Sequence, residues 1–506
     1  METSEKFKAS VQEGYRIKGE SIYLGAGMIN GTVIPEAAVK LPLKTLNRHG
    51  LIAGATGTGK SKTLQIIAEN LSDNGVPVLL MDIKGDLSGV AKASEGADFI
   101  DKRHQLLNFP FEPKGSPVEI LSLSDEPGIR LRATVSEFGP VLLSRILDLT
   151  DTQTGIMAIV FKYCDDKKLP LLDLKDLKKI LQYATEEGKE EFEKEYGRIS
   201  SASTGAILRK IVALEQQGAD RFFGERSFEV NDLLQKNSDG KAYINILRLT
   251  DIQDRPKLFS TFMLSLLAEI YSTFPERGDL EKPELVLFID EAHLIFEQAS
   301  DALLDQIESI VKLIRSKGVG IFFVTQNPAD IPEEVLGQLG LKVQHALRAF
   351  TAKDRKAIKL AAENYPLSEF YDTKNMLTAL GIGEALVSAL DEKGRPTPLV
   401  ATMLRAPMSR MDILNENELD ELIKKSELSV KYNDQPDRES AYEILNRKIE
   451  QAEEEKAREK AEKERKEVIK TSSRRRSSST EGAVIKVLTS ATFIRGVLGI
   501  LNKILK

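Results

Sequence analysis

The chain has 506 residues, with 71 Lys and Arg against 77 Asp and Glu, so its formal net charge is −6 at pH 7. The length accommodates roughly two to four domains, and the negative charge argues against a generally basic nucleic-acid-coating protein but is compatible with a local basic channel. A single cysteine, Cys164, excludes an internal disulfide framework. Residues 1–20 do not resemble a signal peptide, and no apolar run is long enough to span a bilayer, so we expect a cytoplasmic protein.

Residues 1–47 predict a small N-terminal hairpin. Strand-like runs within residues 21–35 are interrupted by Asn30-Gly31, a dipeptide typical of two-residue hairpin turns. The hairpin leads into a short apolar strand at residues 51–53.

A glycine-rich segment follows that strand and precedes a helix-like stretch at residues 62–71. Its sequence, Gly54-Ala55-Thr56-Gly57-Thr58-Gly59-Lys60-Ser61, matches the phosphate-binding P-loop. Glycines let backbone N–H groups face phosphate oxygens, Lys60 supplies a cation for the β- and γ-phosphates, and Ser61 supplies a hydroxyl for Mg²⁺. The alternative is an ordinary glycine-rich turn before a helix. We predict that ATP is bound by Gly54, Thr56, Gly57, Thr58, Gly59, Lys60, Ser61 and Lys62.

An apolar run at residues 76–82 predicts a second buried strand after the P-loop helix. A strand–helix–strand unit implies a parallel sheet, so we assign residues 48–139 to the first part of an ATPase core. Asp82 would then stand at the rim where nucleotide sites form. Capping a local turn is an equally good interpretation of this residue.

The pattern changes to helical periodicity further along, and we predict a helical insertion over residues 140–280. Arg209, Lys210 and Arg221 could line a ligand channel there, although ordinary surface charge is the favoured interpretation.

Residues 281–404 predict the second part of the ATPase core. The apolar run at residues 285–289 ends in two adjacent carboxylates, Asp290 and Glu291. We predict that Asp290 holds Mg²⁺ through water or Ser61, and that Glu291 orients and polarises the attacking water.

Polar residues also follow two later strands of this core. Gln326 ends a buried strand and is predicted to sense the γ-phosphate or hold the lytic water, the alternative being a polar turn residue. Arg315 and Arg348 are candidate arginine fingers, one of which could be offered to a neighbouring subunit. A surface ion pair is an equally good interpretation of each arginine.

These motifs resemble, in order and spacing, those of the HerA-FtsK branch of the P-loop NTPases, and more closely bacterial HerA-like helicases with the YjgR-type domain. The resemblance covers roughly residues 10–450 and includes the P-loop, residues 82–86, the strand ending in Asp290 and Glu291, residues 325–328 and residues 348–358. It implies an α/β RecA-like fold with a mostly parallel sheet, and a ring, usually a hexamer, that moves DNA with nucleotide held between subunits. It also gives Lys60, Ser61, Asp290, Glu291 and Gln326 the nucleotide roles and Arg315 or Arg348 the finger role.

The remainder of the chain is polar and charged. We predict a charged helical arm over residues 405–470, a basic serine-rich linker over residues 471–485, and an amphipathic helix over residues 486–506. The apolar stripe of that last helix would dock within the assembly or lie on an anionic membrane surface, and docking is favoured.

The sequence thus predicts a Mg²⁺-dependent ATPase that translocates or unwinds DNA as a ring. One alternative is an ATPase that acts on protein, like the secretion and conjugation ATPases. Another is a non-motor nucleotide switch that binds ATP tightly and hydrolyses it slowly.

Overall fold

A computed structural model describes residues 2–251, 255–278, 280–298, 301–434, 436 and 438–474. The strands in this part of the chain are β1 (Ser21–Ile29), β2 (Thr32–Pro42), β3 (Gly50–Ala53), β4 (Val78–Asp82), β5 (Val118–Ser122), β6 (Ile129–Arg130), β7 (Ile244–Arg248), β8 (Leu285–Ile289), β9 (Val319–Thr325), β10 (Leu341–His345), β11 (Glu384–Ser388) and β12 (Val400–Leu404). The helices are α1 (Glu2–Gly14), α2 (Lys60–Asp73), α3 (Asp98–Leu107), α4 (Val135–Ile146), α5 (Asp151–Lys167), α6 (Leu174–Thr185), α7 (Lys189–Glu195), α8 (Ser201–Glu215), α9 (Pro256–Thr273), α10 (His293–Gln298), α11 (Asp301–Ile314), α12 (Glu333–Leu336), α13 (Ala352–Glu363), α14 (Thr373–Ala379), α15 (Glu416–Lys425), α16 (Glu427–Tyr432) and α17 (Ala441–Arg474).

These strands form one sheet in the order β2-β1-β12-β11-β10-β3-β9-β8-β4-β7-β5-β6. The strands from β10 to β6 run parallel, whereas β2, β1, β12 and β11 extend the sheet in antiparallel fashion. All residues of β3, β4, β8 and β9 are buried, as expected for central strands covered on both faces. The α/β class and the mostly parallel sheet are as predicted.

The N-terminal hairpin is part of this sheet. Ile29 pairs with Thr32 around Asn30 and Gly31, whose φ angles of 49° and 74° suit the tight hairpin turn. β1 also pairs with β12, so the hairpin forms an edge of the ATPase core rather than a separate region.

The predicted insertion is wrong at its C-terminal end. Helices α4 to α8 do pack on one another, with Tyr163 and Phe192 stacked at 4.2 Å in their core. However, β7 lies between β4 and β5 in the central sheet, although it falls within residues 140–280. The periodicity of the flanking helices concealed this five-residue strand. Lys210 and Arg221 contact Asp148 and Asp125, which is in keeping with surface charge.

The predicted arm boundary at residue 405 is also wrong. The chain after β12 runs along α2, where Arg405 forms a buried ion pair with Glu69, and α15 then packs against β5. Residues 1–442 accordingly form one compact unit, and the described residues from 443 onward belong to a second. Within the second unit, α17 continues to Arg474 as a highly charged helix. The amphipathic helix predicted for residues 486–506 lies outside the described residues, as does the linker from residue 475 onward.

A bilayer-crossing segment was not expected from the sequence. Among the helices in the described ranges, none combines the length and the apolar character that crossing a membrane requires.

Candidate functional site

The predicted site residues gather where parallel strands end. Because β3, β8 and β9 run in one direction, the P-loop after β3, the carboxylates after β8 and Gln326 after β9 meet at one edge of the sheet. The backbone links two of these segments directly, since Gly54 N–H donates to Thr325 O at 3.2 Å.

The P-loop backbone requires its glycines at two close approaches. Gly54 has φ +152°, and a Cβ there would lie 2.5 Å from Cβ of His345. Gly59 has φ +112° and begins α2, and a Cβ there would lie 3.3 Å from the Gly383 nitrogen. The loop therefore packs on β10 and on the turn before β11, with the first turn of α2 directed at the site.

Lys60 lies inside this loop. Its Nζ donates to Gly54 O at 2.7 Å and to Ala55 O at 3.2 Å. Burial and the nearby Lys84 lower the pKa of Lys60, and the carboxylates of Glu291, Asp290 and Asp86 oppose this shift. The ammonium group thus lies beside both the loop carbonyls and the acidic residues of the neighbouring strands.

The other P-loop side chains have different surroundings. Thr58 Oγ1 donates to Ala55 O at 2.7 Å, which closes the loop, and Thr56 is exposed. Lys62 Nζ donates to Met411 O and Gln65 Oε1, so its side chain points along α2 toward the segment after β12. Lys62 would therefore hold phosphate through its backbone N–H at the helix start rather than through its ammonium group.

A tight turn after β4 supports the metal side of the site. The Asp82 carboxylate accepts N–H groups from Gly85, Asp86 and Leu87 at 2.7–3.2 Å, so it caps the turn. Ser61 Oγ donates to Asp86 Oδ2 at 3.1 Å. Burial, Asp86 and Asp290 raise the pKa of Asp82 to about 7, against the lowering effect of the backbone N–H groups.

The two carboxylates after β8 are both buried. Burial raises the pKa of Asp290 to about 6, with Lys84 opposing the shift and Glu291 and Asp86 adding to it. Glu291 has φ +45°, an uncommon conformation for a residue with a side chain. Its carboxylate pairs with Lys84 on one oxygen and with Nδ1 of His293 at 3.1 Å on the other.

Gln326 and the two arginines lie in three different places. Gln326 is exposed at the end of β9, beside the P-loop strand, and Arg348 is exposed just beyond β10 at the same edge. Arg315 lies at the opposite edge of the sheet, because it precedes β9. Its charge helps to lower the pKa of His49, which precedes β3 and therefore lies at that same opposite edge. The four residues of β3 separate the two edges by about 13 Å. Arg315 therefore does not reach the P-loop of its own chain, whereas Arg348 lies at the same edge of the sheet as the P-loop.

Sequence reasoning missed two residues of the site. Lys84 and Asp86 both lie in the turn after β4, and they pair with Glu291 and Ser61. The signal was present in Asp82-Ile83-Lys84-Gly85-Asp86, since charged residues after a buried strand face the same edge as the P-loop. Assigning partners required the strand order, in which β4 lies beside β8.

The residues fit a magnesium ion held together with phosphates. Across the described ranges, no group of three or more His, Cys, Asp and Glu side chains forms a metal cage. Mg²⁺ at nucleotide sites uses one or two protein ligands and takes the rest from phosphate and water. Ser61 and Asp290, predicted as metal residues, together with Asp86, would supply oxygen ligands of this kind beside the P-loop.

A P-loop after a central parallel strand, with two carboxylates ending a nearby strand, defines a P-loop nucleoside triphosphatase. The family model described as "Helicase HerA-like C-terminal" matches residues 29–496, and the chain belongs to this family. The resemblance to the HerA-FtsK branch is thereby confirmed.

Individual proteins agree with that membership. The chain is 24% identical over 360 residues to the DNA double-strand break repair helicase HerA of Sulfolobus acidocaldarius. The match includes 69% of this chain and 64% of that relative, so the chain spans less than two thirds of the relative's length. The bacterial conjugative coupling protein TrwB has a similar fold, with a TM-score of 0.51, 15% identity, and coverage of 80% of this chain and 94% of TrwB. A TrwB complex with a non-hydrolysable ATP analogue has a TM-score of 0.50 at 15% identity, and the match covers 78% of this chain and 98% of the TrwB chain. The predicted RecA-like P-loop fold is confirmed.

Proposed function

We propose that this protein is a Mg²⁺-dependent ATP hydrolase that translocates along DNA or unwinds it. The observation that carries the proposal is the meeting of the P-loop, Asp290, Glu291 and Gln326 at one edge of the sheet in a chain of the HerA-like family. This edge brings a phosphate cradle, a metal-side carboxylate and a candidate general base together.

Each residue has a distinct role in the proposed reaction. The P-loop N–H groups and Lys60 hold the β- and γ-phosphates, and Ser61 and Asp290 hold Mg²⁺, which neutralises phosphate charge. Glu291 polarises the attacking water after its carboxylate leaves Lys84 and turns toward the γ-phosphate. Gln326, exposed at the neighbouring strand end, orients that water or senses the γ-phosphate.

DNA as the substrate is supported by family membership. The Sulfolobus relative is named as a DNA double-strand break repair helicase, and the family model that matches residues 29–496 is described as helicase HerA-like. An acidic chain can hold DNA when basic residues are concentrated on the surface that faces it. A cytoplasmic location is part of the same proposal.

The position of Arg315 supports an assembly in which subunits share their nucleotide sites. Arg315 lies at the sheet edge opposite the P-loop, so as a finger it would act on the nucleotide of a neighbouring subunit. Arg348 would act within its own chain, from the end of β10 next to the P-loop strand. We therefore propose a homo-oligomeric ring, a hexamer by analogy with the family, with nucleotide between subunits.

Steady-state ATP hydrolysis tests the proposal. Turnover is measured with duplex DNA, with single-stranded DNA and without DNA, and Lys60→Ala, which should lose ATP binding, serves as the control for contaminating ATPases. We expect DNA to stimulate the wild type and Glu291→Gln to bind ATP but turn over at least about 100-fold more slowly, because it lacks the general base.

The remaining outcomes correspond to the alternative functions. Turnover that is brisk but indifferent to DNA would favour an ATPase acting on protein. Tight binding with slow turnover in the wild type would favour a nucleotide switch. Normal turnover by Glu291→Gln would refute the assignment of the base.

A further inference from the structure

A second cleft lies beside the proposed phosphate site. It has a volume of about 530 Å³, within the usual range for small-molecule sites. One wall is formed by residues 94–100, at the start of α3, and the other by residues 410–418, which follow β12 and lead into α15.

Both walls of the cleft are attached to the P-loop region. On one side, Met411 lines the cleft and its carbonyl accepts the Nζ of Lys62, the third residue of α2. On the other side, Arg103 lies one helical turn after Phe99 and donates to Gly383 O at 3.0 Å. Gly383 N–H in turn donates to Thr58 O at 3.0 Å. The cleft therefore adjoins the start of α2 through Met411, and the helix that carries Phe99 is linked to the P-loop through Arg103 and Gly383.

The lining suits the uncharged part of a nucleotide. Phe99 and Ile413 stand on opposite walls of the cleft, with 60% and 53% of their surface exposed. An aromatic ring exposed in this way offers a stacking surface to a base.

The charged residues of the cleft point to the same ligand. Three carboxylates, Glu95, Asp412 and Glu418, line it against one guanidinium group, that of Arg410, which pairs with Glu418. An excess of carboxylates disfavours phosphate but accepts hydrogen bonds from ribose hydroxyls and from the amino group of a base.

We propose that this cleft binds the nucleoside part, the ribose and base, of the triphosphate whose phosphates occupy the P-loop. The proposal rests on the proposed function, because it takes the P-loop as the phosphate site. Phe99 is the stacking residue, Ile413 closes the opposite wall, and Glu95 and Asp412 accept hydrogen bonds from the ribose hydroxyls and the base.

Calorimetric titration of the full chain in Mg²⁺ separates the two halves of the ligand. ATP and ADP probe both halves, whereas inorganic tripolyphosphate probes the P-loop alone. We expect Phe99→Ala to weaken ATP and ADP binding about 10-fold, as loss of a stacked base does, and to leave tripolyphosphate binding unchanged. Phe99→Tyr should retain the affinity of the wild type.

Matched variants make the result specific. Leu106→Ala removes another exposed apolar side chain, 54% exposed, from the same helix outside the cleft, and should bind all three ligands normally. Lys60→Ala should weaken all three. Unchanged ATP binding by Phe99→Ala, or equal weakening of ATP and tripolyphosphate, would overturn the proposal. If the wild type bound neither ATP nor tripolyphosphate, the proposed function would itself have failed.

Discussion

Replacing Arg405 should destabilise the unit that carries the P-loop. Arg405 Nη2 donates to Glu69 Oε1 at 2.7 Å, and the two side chains are only 3% and 2% exposed. Glu69 also accepts the N–H groups of Met408 and Ser409 and the Ser409 hydroxyl at 2.8–3.2 Å. Arg405→Met leaves this carboxylate buried without its cation, and breaking such a pair costs about 3–5 kcal/mol.

The corresponding change in melting temperature follows from the size of the unit. Unfolding residues 1–442 gains about 2.1 cal/mol/K per residue, or about 0.9 kcal/mol/K in total. We therefore expect Arg405→Met to lower Tm by about 3–5 °C, measured by calorimetry at one scan rate. Arg395→Met is the control, because Arg395 pairs with Asp391 while 71% exposed, and its Tm should change by less than about 1 °C.

A double variant tests whether the two charges are coupled. Glu69→Met combined with Arg405→Met removes both charges. The decrease in Tm of this double variant should therefore be much smaller than the sum of the decreases of the two single variants. An additive double variant would refute the coupling, and a normal Tm for Arg405→Met would refute the buried pair itself.

The remaining predictions concern the site. Burial places the pKa of Asp290 at about 6 and that of Asp82 at about 7, above the usual 3.8, so the free energy of unfolding should fall as pH rises from about 4 to about 7. Mg²⁺ needs Asp290 deprotonated, so Mg²⁺ and ATP should raise Tm more at pH 8 than at pH 5.5, and Asp290→Asn should reduce that difference. An equal gain at both pH values would contradict the metal role. Lys84 lowers the pKa of Asp290, so Lys84→Met should shift the acid limb of the ATPase pH profile to higher pH. An acid limb at the wild-type pH would argue against an interaction of Lys84 with Asp290. If Arg315 serves a neighbouring subunit, mixed rings of Lys60→Ala and Arg315→Ala contain sites with an intact P-loop beside an intact Arg315. The mixture should then hydrolyse ATP faster than the mean of the two separate variants, and a rate equal to that mean would refute the role.

The sequence predicted the parts of the fold that local patterns determine. The P-loop is a contiguous motif between a strand and a helix, and Asp290 and Glu291 directly follow an apolar run, so their shared edge followed from the rules of parallel sheets. Long-range pairing was not predictable. The five residues of β7 have no sequence feature that indicates pairing with β4 and β5. The polar composition of the segment from residue 405 likewise did not indicate the buried ion pair between Arg405 and Glu69. Arg315 illustrates the same limit, since its residue type suggested a finger but only the strand order shows the edge on which it lies.

The turn after β4 connects the two chemical halves of the site. Asp82 holds the turn by accepting three consecutive backbone N–H groups. Within this turn, Asp86 contacts Ser61, the proposed metal residue, and Lys84 contacts Glu291, the proposed base. The pairing of β4 with β8 therefore brings this turn beside the proposed base, while Asp86 links the same turn to the start of α2.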